Sequence, residues 1–207
     1  DTAQSANPAL GAAVDLLVRH GGTAILSGTS ELAPVAQHVL ARAASPAVGE
    51  QLAQRIQWWK GYSAGRDARM TRPAIADGER AGLRRAGSSP LQAVYEYAYP
   101  VMQRGLVFMD APAYAAVSAT GQIASGATMV CLTTGSGSGF GAAPVPTVKL
   151  ASNSAVFARM EDDLDIDCGG VLAGDIGVEQ MGQRVFERML AHASGEATKS
   201  EELGVGR

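Results

Sequence analysis

Glycines and small polar side chains follow an apolar run in the second half of this sequence. Residues 127–134 are mostly apolar, and the segment 135–141 then alternates four glycines with Ser136, Ser138 and Phe140. Glycine lets the main chain approach a ligand closely, and successive backbone amides can form a nest that binds an anion. The chemistry predicted for this glycine loop, residues 135–141, is therefore the binding of an anionic small molecule.

The glycine loop lacks the spacing of the common nucleotide-binding loops. A dinucleotide fingerprint requires G-x-G-x-x-G leading into a helix. Here the third glycine falls on Phe140 or Ala142, depending on the starting glycine, and Pro144 and Pro146 then prevent a helix. A P-loop requires a lysine directly after its glycines, whereas the next lysine is Lys149. These departures favour a substrate loop over a nucleotide-binding loop.

A second candidate is the acidic segment 161–170. Three of its aspartates, at positions 163, 165 and 167, have the alternate spacing of a calcium loop. However, Cys168 stands where that loop needs glycine, and Gly174 stands where it needs a bidentate glutamate. A solvated acidic turn is the favoured interpretation, and ligation of a transition metal by Asp167 or Cys168 is kept as an alternative.

The other groups that often carry chemistry give weaker signals. His20 and His192 fall in the last turns of predicted helices, where a partly cationic ring suits the helix dipole, and His38 falls in mid-helix. None of them lies in a nucleophile motif. Cys131 lies inside an apolar run and is predicted to be a small buried side chain.

The elements that must position these residues alternate along the chain. Predicted strands cover 23–27, 105–110, 127–134 and 147–152. Predicted helices cover about 8–20, 31–43, 46–60, 113–125 and 178–193, with a helical turn near 90–98. This order predicts an α/β fold of three layers, with a mostly parallel sheet, helices on both faces and a Rossmann-like topology. We expect one domain over 1–193, with a long loop at 63–89 and a polar tail at 194–207.

Polar residues stand at the predicted carboxyl ends of the strands. In open parallel sheets ligands bind beyond these ends, although turns and helix caps need polar residues there as well. Their shared edge favours a site. The residues concerned are Ser27, Thr29, Ser30, Glu31, Asp110, Tyr114, Thr133, Thr134, Ser152 and Asn153.

Composition narrows the classes of function. The chain has 207 residues, of which 46% are hydrophobic and 18% charged, so it can bury a core. Its net charge of −3 argues against nucleic acid as the main partner. Two distant cysteines indicate a reducing compartment, and no apolar run approaches the length of a membrane span. We expect a cytoplasmic protein without a membrane partner, cut from a longer chain.

Phrases spread over nearly the whole chain resemble the C-terminal domain of the altronate/galactarate dehydratase family, which are sugar-acid hydro-lyases. They include "ANPALG", "GGTAILS", "SSPLQAVYEYAYPV", "GLVFMDAPAY", "VSATGQIASGA", "TTGSGSGFG", "PVPTVKLASN", "DDLDIDCG" and "ASGEATKSEELG". The resemblance implies a lyase that dehydrates an altronate- or galactarate-like acid to a 2-keto-3-deoxy acid. It also implies a divalent metal, expected to be Fe²⁺, further domains at the N-terminal side of the same enzyme, and a homo-oligomer.

Departures from the family pattern concern mostly charged residues. The family has a glutamate where this chain has Gly28, and a Glu-His pair where it has Ala36 and Gln37. It has an arginine in the glycine loop where this chain has Ser136, and a lysine where it has Ala143. A hydroxyl cannot replace the two-pronged donor of an arginine at an anion site. The chain is thus expected either to act on a different substrate or to have lost catalysis.

The residues that match the family pattern, together with hydroxyls at the strand ends, supply the candidate site. Lys149 and Glu31 are the candidate catalytic residues, with Lys149 as a base or as the cation that stabilises an enolate. The alternative for Lys149 is a surface lysine on an edge strand. The candidate substrate-binding residues are Thr133, Thr134, Gly135, Gly137, Ser138, Ser118, Thr120, Gln122 and Asn153. A sulfolactate-type carbon–sulfur lyase and a non-catalytic paralogue that binds a small acid are the alternative functions.

Overall fold

A computed structural model describes residues 7–28, 36–64, 85–112 and 114–206. In chain order the first half contains α1 (Pro8–Arg19), β1 (Thr23–Ser27), α2 (Ala36–Leu40), α3 (Pro46–Ala64), β2 (Leu91–Tyr95), β3 (Gly105–Met109) and α4 (Ala115–Ala124). The second half contains β4 (Val130–Thr134), β5 (Thr147–Ala151), α5 (Ser154–Arg159), β6 (Ile166–Asp167), α6 (Gly169–Ala173), α7 (Val178–Ala193) and α8 (Lys199–Glu202).

The strands form two parallel sheets where the sequence predicted one. The first sheet has the order β1-β3-β2 and the second β4-β5-β6, so each sheet is three-stranded. Residues 23–27 pair in register with 105–109, and residues 130–134 pair in register with 147–151. Every pairing between named strands is parallel, which confirms the predicted sheet type. Within the described strands, β1 and β4 are edge strands that are not hydrogen-bonded to each other.

Helices cover both faces of the sheets, as the predicted three-layer fold requires. Successive side chains of a strand point to opposite faces, and Val148 and Leu150 of β5 pack on one face against α1 and α7. Ala151 of β5 packs on the opposite face against Val156 of α5. In the first sheet, Phe108 of β3 belongs to a core cluster with residues of α3. Helix α1 contributes to the clusters of both sheets and so joins them on that side.

Local signals explain the first helix. Asn7 Oδ1 accepts a hydrogen bond from Leu10 N at 3.3 Å, and Pro8 occupies the first helical position. Gly21, which follows the helix, has φ +81, a conformation that glycine adopts without strain. These features confirm the cap, the start and the end predicted for this helix.

Two segments differ from their predicted structure. Residues 91–95 form strand β2, and the predicted helical turn at 90–98 was wrong, because the backbone of this segment pairs with β3 at the sheet edge. The segment 194–207, predicted as a polar tail, contains α8 with a buried Thr198. Helix α3 extends to Ala64, past the predicted end. Most of the predicted loop 63–89 lies outside the described residues.

Candidate functional site

A crevice of about 860 Å³ separates the two sheets at their facing edge strands. Its walls include Ile25 and Ser27 of β1, Thr133 of β4, and Ser118 and Gln122 of α4. In an open α/β sheet, the position where neighbouring strands diverge is the usual ligand site. The crevice therefore brings three of the predicted substrate-binding residues, Ser118, Gln122 and Thr133, into one place.

The polar groups at the end of β1 satisfy one another. Gln122 Nε2 donates to the carbonyl of Ile25 at 2.9 Å and to Ser27 Oγ at 3.0 Å. Ser27 Oγ in turn donates to Ser118 Oγ at 3.1 Å, and Ser118 Oγ donates to the carbonyl of Pro112 at 2.9 Å. This hydrogen-bond chain ties α4 to β1 and orients hydroxyl and amide groups at the crevice wall.

Thr120 does not join the crevice. Its Oγ1 donates to the carbonyl of Ala116 one helical turn earlier, at 2.8 Å, and the side chain lies on the exposed side of α4. This back-bonding is common for threonine within helices. Glu31, the second predicted catalytic residue, lies outside the described residues.

The remaining predicted residues shape the glycine loop. Thr134 Oγ1 accepts a hydrogen bond from Gly137 N at 3.0 Å. Asn153 Nδ2 donates to the carbonyl of Gly135 at 3.0 Å, while Asn153 Oδ1 caps α5 by accepting from Val156 N at 2.9 Å. The loop thus spans the carboxyl ends of β4 and β5, with its first turn fixed by one threonine and one asparagine.

The middle of the glycine loop depends on the absence of side chains. Gly137 has φ +102, and a Cβ atom placed there would overlap the sulfur of Met160. Ser138 Oγ accepts a hydrogen bond from Phe140 N at 3.2 Å, which turns the chain again. The backbone conformation therefore favours glycine at 137, and any larger residue would also force the Met160 side chain to move.

Arg159 is a cation at the loop that the sequence did not indicate. It is the last residue of α5, its side chain is exposed, and its Nη2 donates to the carbonyl of Ser136 at 3.0 Å. A guanidinium has five donors in a planar fork that matches a carboxylate. Arg159 thus places a guanidinium beside Ser136, the position at which the family pattern has an arginine.

Lys149 is a buried residue and not a surface lysine. It lies in the central strand of the second sheet, and its side chain has no solvent-exposed surface. Its Nζ lies 3.9 Å from Asp163 Oδ1, and no atom of the described residues accepts a hydrogen bond from it. Burial lowers the pKa of Lys149, against the opposing effect of the charges of Asp163 and Asp165. Because burial favours the neutral amine, Lys149 is a better candidate for a base than an exposed lysine would be.

The acidic segment does not form a metal site by itself. Among the described residues, no group of three or more His, Cys, Asp or Glu side chains is arranged to hold a metal ion. Asp167 Oδ1 accepts a hydrogen bond from Gly169 N at 2.8 Å, and Cys168 belongs to a buried apolar cluster. The described donor groups therefore do not fit the implied Fe²⁺, and its binding stays a prediction.

Both thiols are held in the protonated form at neutral pH. Burial raises the pKa of Cys131 to about 12, and the charge of Asp165 adds to that rise. Burial likewise raises the pKa of Cys168 to about 11. Since the thiolate is the nucleophilic and metal-binding form, neither cysteine is prepared for those roles.

Comparison with known proteins decides the family. The model of the family "D-galactarate/Altronate dehydratase, C-terminal" matches residues 2–207. The chain belongs to this family. The match extends over both sheets, the crevice and the glycine loop, and it confirms the resemblance seen in the sequence.

Individual relatives agree with that assignment. The chain is 30% identical to the galactarate dehydratase (L-threo-forming) of Escherichia coli K12, over 97% of this chain and 41% of that protein. It is 26% identical to the altronate dehydratase of Bacillus subtilis 168, over 96% of this chain and 42% of that protein. It is 29% identical to the (2R)-sulfolactate sulfo-lyase subunit beta of Chromohalobacter salexigens, over 96% of this chain and 55% of that protein. The chain thus spans about two fifths of the length of the two dehydratases.

In the described ranges, no helix combines the length and the apolar character needed to cross a membrane.

Proposed function

We propose that this domain is part of a sugar-acid dehydratase that converts an altronate- or galactarate-like acid into a 2-keto-3-deoxy acid. In this reaction a base removes the proton from the carbon beside the carboxylate, and hydroxide leaves the next carbon. The resulting enol then tautomerises to the ketone, so that the net change is the loss of one water. The chemistry needs a base, an acid for the leaving hydroxide, and a positive charge near the developing enolate.

The observation that carries the proposal is the family match over residues 2–207, since known sugar-acid dehydratases align with nearly the whole chain. The geometry supports it, because the glycine loop and Asn153 follow the carboxyl ends of two parallel strands, β4 and β5. The crevice reaches Thr133 of β4, two residues before the glycine loop begins, and we propose that one acid extends from the crevice to the loop.

In this proposal, Arg159 and the backbone amides of the glycine loop bind the substrate carboxylate. The guanidinium already lies at the loop, hydrogen-bonded to the carbonyl of Ser136. The hydroxyls and amide of the crevice wall, Ser27, Ser118 and Gln122, then face the polyhydroxylated part of the acid. Such groups recognise hydroxyls through hydrogen bonds, which gives specificity at modest cost in affinity.

Lys149 supplies the base or the cation that stabilises the enolate, and Glu31 is the second catalytic group. The lowered pKa of Lys149 favours the role of base, because it makes the neutral amine easier to form, whereas the carboxylates of Asp163 and Asp165 favour the cation. Since the Lys149 side chain has no exposed surface, the substrate reaches its amine only after the chain around it moves. The proposal therefore includes a movement of the chain around Lys149 on binding.

The other parts of the enzyme are also part of the proposal. The known dehydratases carry more than half of their length outside the region matched here, and we assign the missing catalytic groups to those domains. Since the described donor groups do not fit a divalent metal, the expected Fe²⁺ would need ligands from those other domains, and it would supply Lewis-acid chemistry there. A cytoplasmic location and a homo-oligomeric state stay predictions.

The test uses the full-length enzyme with ferrous iron and a panel of aldarates, aldonates and sulfolactate. Formation of a 2-keto acid with release of water supports the dehydratase. Binding of an acid by thermal shift without turnover of any panel member would instead identify a non-catalytic acid-binding paralogue.

A carbon–sulfur lyase is the second candidate. It is favoured by the similarity to the sulfolactate sulfo-lyase subunit, of which the chain covers a larger share than of the dehydratases. Release of sulfite from sulfolactate, with no keto acid formed from aldarates or aldonates, would select this alternative.

The anion-binding role of the loop is tested by substitution. Arg159→Ala removes a charge-assisted donor and is expected to raise KM by about 10- to 100-fold. Arg19→Ala, on the distant α1, is the matched control and is expected to leave KM unchanged. In the opposite direction, the double variant Ser136→Arg, Ala143→Lys is expected to increase affinity for the sugar acid. Unchanged affinity in all of these variants would remove the glycine loop from the site.

A further inference from the structure

The C-terminal segment folds back onto the core through a short, well-capped helix. Thr198 Oγ1 accepts a hydrogen bond from Glu201 N at 3.3 Å, and Glu201 Oε2 accepts one from Thr198 N at 2.8 Å. This reciprocal capping box fixes the start of α8. Thr198 has no exposed surface and Ser200 has 2%, so the helix is packed against the protein.

One carboxylate joins this helix to the strand that carries Lys149. Asp165 Oδ2 accepts a hydrogen bond from Lys149 N at 2.6 Å, and Asp165 Oδ1 accepts one from Lys199 N at 2.8 Å. The backbone of Asp165 also donates to the carbonyl of Lys149 at 2.9 Å. Asp165 therefore fixes the middle of β5 and the first turn of α8 with respect to each other.

The same C-terminal segment lies against the end of the glycine loop. A Cβ atom at Gly141 would lie 3.0 Å from Ser200 Cβ and 3.1 Å from Val205 Cγ1. A Cβ atom at Gly206 would lie 2.6 Å from the carbonyl oxygen of Gly141. The two chain segments are thus in contact without room for side chains, and a shift of α8 must move Gly141.

We propose that Asp165 is a positioning residue, which holds Lys149 and, through α8, the glycine loop in the arrangement that the reaction needs. The inference rests on the proposed function. The inference extends the proposed site to Asp165 and α8, which contact neither substrate nor reacting atoms. It also explains why an aspartate inside an acidic turn makes three hydrogen bonds to backbone.

The charged groups around Lys149 make the proposal testable through pH. Asp163 and Asp165 are the carboxylates that oppose the effect of burial on the pKa of Lys149. On the neighbouring strand, Cys131 stays a neutral thiol. On α8, Lys199 pairs with Glu202 at 3.5 Å, so these two charges largely cancel. Removing either aspartate charge must lower the pKa of Lys149 further.

The experiment compares three substitutions in the full-length enzyme. Asp165→Asn removes the charge and weakens the backbone contacts, whereas Asp163→Asn removes a charge without touching α8. Asp162→Asn changes an exposed neighbour and is the control. For each variant, kcat is measured as a function of pH with an acid that the wild-type enzyme converts. Hydrogen exchange is followed by mass spectrometry over residues 135–146 and 194–206.

For Asp165→Asn we expect kcat to fall by about 10- to 100-fold, as for a small misplacement of a reacting group. We also expect the pH midpoint assigned to Lys149 to move down, and exchange to rise in both segments. Asp163→Asn should move the midpoint alone, and Asp162→Asn should change nothing. If Asp165→Asn fails to fold, Thr198→Ala replaces it, with the same expected fall in kcat and rise in exchange.

Two different results would overturn the proposal about Asp165. Faster exchange with unchanged kcat and midpoint would show a purely structural aspartate and overturn the proposal. Unchanged exchange in both segments would show that Asp165 does not hold the loop, with the same consequence. If the wild-type enzyme turns over no acid, the proposed function fails, while the exchange data still decide whether Asp165 fixes the loop.

Discussion

The ends of β1 and the middle of β5 are both polar places in a mostly apolar α/β core, but their hydrogen bonding differs. At β1, Ser27, Ser118 and Gln122 donate to one another and to backbone carbonyls. At β5, the amine of Lys149 is more deeply buried than these half-buried groups, yet it meets no acceptor among the described residues. The polar groups of the first region hold α4 on β1. The amine of Lys149 in the second region is a strong donor that makes no hydrogen bond within the described part of the chain.

Under the proposed function, that difference separates residues that build the site from a residue that acts in it. A buried polar group without a partner costs free energy, and such a cost is commonly retained where chemistry needs it. By themselves, the hydrogen bonds among Ser27, Ser118 and Gln122 are typical of a helix packed on a strand. The predictions below test whether the contrast between the two regions is one of function as well as of hydrogen bonding.

Lys149→Met should give the largest effect. If Lys149 is the base or the enolate-stabilising cation, kcat should fall by about 100- to 10,000-fold. The free energy of unfolding should rise, by about 1–4 kcal/mol, because a buried charge is replaced by an apolar side chain of similar length. Steady-state kinetics and urea unfolding measure the two quantities. Lys60→Met, at an exposed position of α3, is the control; a variant that is less stable and fully active would reverse the interpretation of this region.

Gly137→Ala should disturb the glycine loop next. The positive φ and the overlap with Met160 should lower the free energy of unfolding by about 1–3 kcal/mol, with a parallel loss of activity. Gly139→Ala is the matched control two residues away, since a Cβ atom there meets nothing within 4 Å. Thermal denaturation of the two variants should differ clearly; equal melting temperatures would mean that the loop tolerates a different path.

The pH dependence of stability should also distinguish the β5 region. The pKa of Lys149 is lowered from its ordinary value of 10.5, so between the lowered value and 10.5 the unfolded chain binds more protons than the folded one. The free energy of unfolding contributed by this residue therefore rises with pH across that window. The advantage of Lys149→Met over wild type should be full at pH values below the window and should shrink as pH approaches 10.5. Cys131 and Cys168 are common to both proteins and cancel in the difference; a difference that does not vary with pH would contradict the buried, charged amine.

Gln122→Leu should give the smallest effect and completes the comparison. It removes the donors to Ile25 and Ser27 and should lower the free energy of unfolding by about 1 kcal/mol, as for one net hydrogen bond. Thr120→Val, on the exposed side of the same helix, should change it by less than about 0.5 kcal/mol. Chemical denaturation resolves the two. A loss of kcat in Gln122→Leu as large as that of Lys149→Met would move the catalytic centre to the crevice.

The elements with strong local signals were predictable from sequence. Helix α1 follows from its cap, proline and terminal glycine, and α7 from the regular spacing of Met181, Val185 and Phe186, which are buried in one cluster. Strand β2 was missed because its sequence fits a helix equally well, and only its pairing with β3 decides. Helix α8 was overlooked although Thr198 and Glu201 have the spacing of a capping box, a signal that the sequence does contain.

The candidate site was predictable in its composition but not in its geometry. The glycine loop and Asn153 follow strand ends, so their proximity could be inferred from the topology of parallel sheets. The hydrogen bonds of Asp165 could not, because they join positions 149 and 199, which only the tertiary fold brings together. Arg159 was missed for the same reason, since a charged residue at a helix end normally signals only the helix terminus.

The two cysteines have a practical consequence for following the glycine loop. With pKa values of about 12 and 11, Cys131 and Cys168 carry almost no thiolate at neutral pH and should react slowly with maleimides. A single cysteine introduced by Ser136→Cys would then take up a fluorophore or spin label selectively, without removal of the native thiols. The label would then report whether the glycine loop moves when a sugar acid is added.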